Sequence, residues 1–227
     1  MKKNLFLLSL ITIILASCSS NNELKSWELN GKVKSVFERM YEVDEKFGKW
    51  EAGDLMHTIH NKVNFDENGL YQGMEYYGYD MKLSMKIIPK RENGTIIEEI
   101  HYDEDGRLQS KTKINRISKN EIEAETFNHG NELIYRNKIT QKDGRAIKVV
   151  QTIIKDGEES EIYTMSSEYD KNGNLKSHRR TNKKGETDFH IRFEYLEFDQ
   201  KKNWVKKLMY EDGNEPEYIS IREIEYY

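Results

Sequence analysis

Closely spaced chain reversals constrain this chain more than any other feature. Asn-Gly occurs at 30–31, 68–69, 93–94 and 172–173, and Asp-Gly at 105–106, 143–144, 156–157 and 212–213. His129-Gly130 and Lys184-Gly185 hold comparable places. Such dipeptides tolerate the positive φ angles of tight hairpins, so each is read as a β-turn between antiparallel strands. From Gly130 the turn glycines recur at 144, 157, 173 and 185, and each interval holds one strand of about eight residues plus its turn. The wider gaps contain cryptic turns at Tyr79-Asp80 and Ser118-Lys119-Asn120.

The runs between turns alternate with a period of two, as half-buried strands do. Met81, Leu83, Met85 and Ile87 oppose Lys82, Ser84 and Lys86, and Phe189, Ile191, Phe193 and Tyr195 oppose His190, Arg192 and Glu194. The hydrophobic fraction is only 36 %, yet 14 Tyr, 8 Phe and 3 Trp are too many aromatics for a disordered chain. Low apolar content with many aromatics suits sheets that are packed on one face and wet on the other. With only Pro89 and Pro216, little interrupts backbone pairing. The expected fold is therefore all-β, a long antiparallel meander of about 12–14 strands curled into an open sheet or half-barrel. A closed barrel and a two-layer sandwich are the alternatives. A membrane porin is disfavoured because no lipid-facing apolar belt is evident. The stretch Val43–Leu55 reads as a loop.

Three turns share more than glycine. Phe65-Asp66-Glu67-Asn68-Gly69-Leu70, Tyr102-Asp103-Glu104-Asp105-Gly106-Arg107-Leu108 and Tyr169-Asp170-Lys171-Asn172-Gly173-Asn174-Leu175 align closely. Phe198-Asp199-Gln200-Lys201-Lys202-Asn203-Trp204 is a fourth copy without the glycine. The aromatic closes one strand, Asp bonds back to the turn's own amides, Gly takes the left-handed position and the next apolar residue opens a strand. The pattern resembles the YD repeat of bacterial Rhs-type surface proteins. The stretch from Asn203-Trp204 to Tyr226-Tyr227 is similar to the ending of a group of uncharacterised bacterial lipoproteins, which often begin with Gly-Lys-Val-Lys-Ser as at 31–35 here. That second likeness carries no established activity.

The first 17 residues differ from the rest. Lys2 and Lys3 precede an apolar run from Leu5 to Leu15, and Leu15-Ala16-Ser17 leads into Cys18. The order is that of a secretory signal, and the run is too short to span a bilayer as a helix. Leu-Ala-Ser-Cys looks like the lipobox of bacterial lipoprotein precursors. That resemblance implies cleavage before Cys18, diacylglycerol on its sulfur, a second acylation at its amino group (hence palmitate among the expected modifications), and, with Ser19 following, release to the outer membrane. The expected organisation is a leader at 1–17, a polar tether at 18–26 and one all-β domain at 27–227. As the only cysteine, Cys18 leaves no intramolecular disulfide and no thiol nucleophile.

Other chemistry is weakly signalled. His57 and His60 lie three apart, which on a strand sends them to opposite faces, so no metal site is expected. The Asp-rich turns lack the distal Glu of a calcium loop. Adjacent carboxylates such as Glu98-Glu99 and Glu158-Glu159 face opposite ways, so no glycosidase pair and no catalytic residue is assigned. No cofactor motif occurs. Removing Lys2 and Lys3 makes the chain more acidic than its formal −4, which disfavours nucleic acid as a partner. Tyr71, Tyr76, Tyr77 and Tyr79 form the candidate binding surface for a protein partner or glycan. The expected role is a non-catalytic, lipid-anchored envelope protein acting as a binding or scaffold module. The alternatives are an immunity or accessory factor for a YD-repeat toxin system, and a hydrolase of envelope polymers.

Overall fold

Each reversal does bend the chain back on itself, and the strands ladder in sequence order. The structure, a computed structural model, describes residues 23–58 and 60–227. A short 3-10 helix, Leu24–Trp27, comes first. Fifteen strands follow among the described residues: β1 (Val33–Lys46), β2 (Lys49–Leu55), β3 (His60–Phe65), β4 (Tyr71–Tyr77), β5 (Leu83–Glu92), β6 (Thr95–Asp103), β7 (Leu108–Arg116) and β8 (Glu121–Asn128). They continue as β9 (Leu133–Lys142), β10 (Arg145–Lys155), β11 (Glu158–Tyr169), β12 (Leu175–Asn182), β13 (Thr187–Phe198), β14 (Trp204–Glu211) and β15 (Tyr218–Tyr226). All pairings are antiparallel between chain neighbours, except around β1.

The expected open sheet is overturned at β1. Along one edge β1 pairs with β15, from Val33 opposite Tyr226 to Glu42 opposite Tyr218, with a register shift between Val33 and Ser35. Along the other it pairs first with β3, at Ser35–Glu38, and then with β2. The sheet thus closes into a barrel of 14 strands, β1 and β3 to β15. Closure gives the first and last strands partners for amide rows that an open meander leaves bare. Val43–Leu55 is likewise no loop. It is the upper part of the β1–β2 hairpin, turned at Phe47-Gly48, where both residues have positive φ.

Between β2 and β3 the ladder beside β1 lapses, and two contacts bridge it. The Met56 amide donates to the Met40 carbonyl at 3.0 Å, and the Met40 amide donates to Nδ1 of the buried His60 at 3.3 Å. His60 is thus a structural patch. The β1–β2 hairpin lays Val43, Trp50 and Ala52 against Leu208, Tyr210 and Ile219, which register places on the outer faces of β14 and β15. It covers an apolar stripe that would otherwise meet water.

Six turns opened by Asp or Asn share one geometry, in which the first residue's amide donates to the carbonyl four residues on and the fourth residue's amide returns to the first carbonyl. They begin at Asp66, Asp103, Asn128, Asp170, Asn182 and Asp199. The side chain of each accepts from one or two of the turn's amides; Asp170 Oδ1 takes those of Asn172 and Asn174, both at 2.8 Å. The left-handed fourth position holds Gly69, Gly106, Gly173 and Gly185, but also Asn131 (φ 65°) and Lys202 (φ 65°). In the 128–132 turn the demanding residue is therefore Asn131, not Gly130. The Asx bonds support the geometry even where a lysine occupies the strained site, while the turn at 78–82 repeats the backbone pattern without an opening Asx and with Met81 (φ 60°) in the fourth position.

Candidate functional site

Register assigns every strand an inner and an outer face. Inward residues include Val36, Val63, Met74, Ile87, Ile122, Ile139, Met165 and Ile191, all buried. Polar groups are interleaved with them: Glu38, Glu99, His101, Thr112, Thr126, Asn137, Gln151, His178 and Lys207. Burial pulls the imidazoles of His101 and His178 down to about 4, so both are neutral near pH 7. Burial likewise pushes the Glu99 carboxyl up to about 8, which keeps it protonated there.

The seam where the barrel closes is held by charge. Glu38 on β1 accepts from Ser220 Oγ (2.6 Å) and Arg222 Nε (3.0 Å) on β15, and Lys207 Nζ on β14 lies 3.2 Å away. Arg222 and Lys207 both stack over the Trp204 ring, at 3.6 and 4.1 Å from its centroid. Burial works to raise the Glu38 carboxyl, but the two cations and the hydrogen bonds from Ser220 and Arg222 overcome it and hold it at about 2. The cost of burying the network falls on Lys207, whose ammonium is lowered by burial and by Arg222 despite Glu38 beside it.

The chain's own entry segment closes one end of the barrel. Glu23 accepts from the Tyr71 amide (2.8 Å) and pairs with Arg91 (2.7 Å), while its amide donates to the Gly69 carbonyl. Leu24 and Leu29 join the inner core, and Trp27 stacks on Tyr71. On the far side Glu28 accepts from Trp204 Nε1 (2.7 Å) and the Leu175 amide, and Asn30 bonds with Asn203. Residues 23–26, assigned to the tether by composition, are therefore fixed in the barrel mouth.

The four tyrosines read as one surface do not share a face. Tyr71 is 0 % exposed and Tyr76 is buried, both on the inner side. Tyr77 packs on Phe37 on the outer wall and donates to Glu75. Tyr79 alone is open, at 59 % exposure, in the β4–β5 turn. The turn residues Phe65, Asp66, Gly69, Tyr169, Asp170 and Gly173 lie at the plugged end, whereas Tyr102, Asp103 and Gly106 lie at the other. Cys18 lies outside the described residues. Glu98 and Glu99 point to opposite sides of the wall, as period two requires. Among the described residues no group of three or more His, Cys, Asp and Glu is placed to hold a metal ion.

The unplugged rim carries what the sequence reading missed. His57 stacks on Tyr79 with ring centroids 4.6 Å apart. Beside them an open depression is lined by Gly78, Asp80, Lys82, Ser84, Glu104 and Asp105. At the tip of the β1–β2 hairpin Phe47 is fully exposed (106 %) with a φ of 54°. A bulky residue in the left-handed region is an outlier, since such hairpin turns favour Asn, Asp or Gly. Missing Phe47 followed directly from reading its hairpin as a loop.

The outer wall is charged around the ring. Exposed Lys86, Lys113, Lys138, Lys148, Arg179 and Arg192 stand at mid-strand positions on its outer face. Arg136 pairs there with Glu125 (2.9 Å) and also with Glu159. A Lys or Arg facing lipid at the bilayer midplane costs about 2–4 kcal/mol, so this wall is built for water. No helix among the described residues is long and apolar enough to cross a membrane. No family model matches the chain, and no curated protein matches it. Among solved structures it is similar to a porin-like protein from Bacteroides uniformis ATCC 8492, over 87 % of this chain and 98 % of that one, at 8 % identity and a TM-score of 0.34. A likeness at that score carries no argument about this chain.

Proposed function

We propose that this is a non-catalytic lipoprotein of the bacterial envelope, anchored through lipid on Cys18, which binds a protein partner or glycan at the unplugged rim of its barrel. Phe47 carries the reading. The chain keeps a fully exposed aromatic at a turn position where Asn or Gly is less strained. Local rules are broken in this way where function requires it. Tyr79 and His57 add a second exposed aromatic pair at the same end, beside carboxylates able to accept from hydroxyl or amide donors. The interior offers less, because several of its polar groups bond to one another (Thr112 with Thr126, Gln151 with Asn137, Ser167 with His178) and the entry segment blocks one mouth. The charged outer wall supports attachment by a lipid over insertion of the barrel.

The test pairs an affinity pull-down from envelope extract with a glycan array, using the mature protein and its Phe47→Ser and Tyr79→Ala variants. The reading predicts a captured partner or a bound glycan class that both variants weaken. Capture unaffected by either substitution would remove the rim as the site, and a single toxin as the retained partner would favour an immunity role.

A further inference from the structure

The plugged end also carries a surface of its own, and the entry segment ties it to the anchor. Glu23, the first described residue, is bonded to Gly69, Tyr71 and Arg91 at that end. Only five Cα-to-Cα steps separate it from Cys18, a reach of at most about 18 Å. Around the entry point stand five exposed lysines: Lys25 and Lys32 on the incoming chain, Lys34 at the start of β1, and Lys201 and Lys202 in the β13–β14 turn. The Lys201 side chain comes close to Gly31, which makes the two groups contiguous. Exposed Ile117, Phe198 and Tyr227 occupy the same end. The opposite rim is acidic on balance: its exposed carboxylates, among them Glu104, Asp105, Asp156, Glu186, Glu215 and Glu217, outnumber its exposed lysines, which include Lys82, Lys183 and Lys184.

From this we infer that the plugged end rests on an anionic bilayer surface, with the rim bearing Phe47 and Tyr79 directed away from it. The inference depends on the Cys18 anchor proposed above. Lysines within a Debye length of an anionic surface are attracted to it, whereas a rim with an excess of carboxylates is repelled. Apolar side chains at the same end enter the headgroup region, where tyrosine is favoured. The acyl chains on Cys18 hold the protein at the membrane, and the lysine cluster beside them sets which end faces the surface.

Two turns of identical geometry give matched probes. Asn172 in the β11–β12 turn and Lys184 in the β12–β13 turn are both exposed third residues of the Asx turn, at opposite ends of the barrel. Strand β12 between them sets a separation of about 20–27 Å. The acylated mature protein, carrying Asn172→Cys or Lys184→Cys with a fluorophore, is reconstituted in phosphatidylglycerol-containing vesicles doped with a headgroup nitroxide lipid. Quenching several-fold stronger at 172 than at 184 supports the inference. Charge reversal of Lys25, Lys32, Lys34, Lys201 and Lys202 to Glu should then reduce that contrast, and folding of the variant is checked by its circular dichroism. Equal or inverted quenching overturns the orientation while leaving the anchor intact. A contrast unchanged by charge reversal overturns the anionic surface as the partner. A mature chain whose mass lacks diacylglycerol overturns the anchor and this inference together.

Discussion

Replacing Glu38 with Gln leaves the buried Lys207 and Arg222 side chains without their paired carboxylate at the seam between β1, β14 and β15, with Glu28 as the remaining anion that acts on Lys207. The magnitude follows in two ways. The folded carboxyl titrates at about 2 against an ordinary 4.5, and a displacement of that size corresponds to about 3 kcal/mol of folded-state stability. Removing one partner from a buried ion pair independently costs about 3–5 kcal/mol. Because the folded value is depressed, this contribution is complete above pH 4.5 and is lost as pH falls toward 2. Glu38→Gln should lower the chemical-denaturation free energy at pH 7 by about 3–4 kcal/mol, or Tm by roughly 6–16 °C. The variant should also lose the part of the acid slope between pH 4.5 and 2 that Glu38 supplies. A double substitution with Lys207→Met should recover part of the loss, a coupling read by a double-mutant cycle. A single variant within 1 kcal/mol of the parent, with the same acid profile, would refute the account of the seam.

Three further outcomes follow from individual residues. Glu99→Gln removes a carboxyl that burial raises to about 8, so stability at pH 7 should increase by about 3 kcal/mol in urea melts. The parent's stability should also fall with rising pH between about 4.5 and 8, and the variant should lose that dependence. Gly73 has a φ of 143°, and a Cβ there would lie 2.6 Å from the Ile87 carbonyl oxygen. Gly73→Ala should therefore cost about 2–4 kcal/mol by denaturant unfolding. Phe47→Asn relieves a left-handed Phe and should raise stability by about 0.5–1 kcal/mol while weakening rim binding, a divergence that a thermal melt paired with the pull-down exposes.

What could be read from the chain was local. The Asp and Asn residues that open the six Asx turns, and the Asn93-Gly94, Asp143-Gly144 and Asp156-Gly157 hairpins, act within a few residues of themselves, so their chemistry is visible in short windows. Phe47-Gly48 escaped notice because Phe is not a residue such turns prefer. Closure was invisible for a different reason. Val36 meets Ile224 across most of the chain's length, and no local pattern specifies that pairing. The same distance hides the bonds of Glu28 to Trp204 and of Glu38 to Arg222. Tyr71, Tyr76, Tyr77 and Tyr79 misled because clustering in sequence is not clustering on a face. A bulge between Asn64 and Phe65 and the turn at 78–82 distribute them to inside, outside and rim.

Backbone hydrogen exchange on β15 tests the closed barrel most directly. Closure predicts that residues 218–221 are protected along both edges of the strand and 222–225 along the edge facing β1, with β1 residues 35–40 protected to a matching degree. An open meander would leave one row of β15 amides, those facing β1, exchanging at the rate of a solvent-exposed edge, and that result would contradict the closure on which the seam and the plugged end both depend.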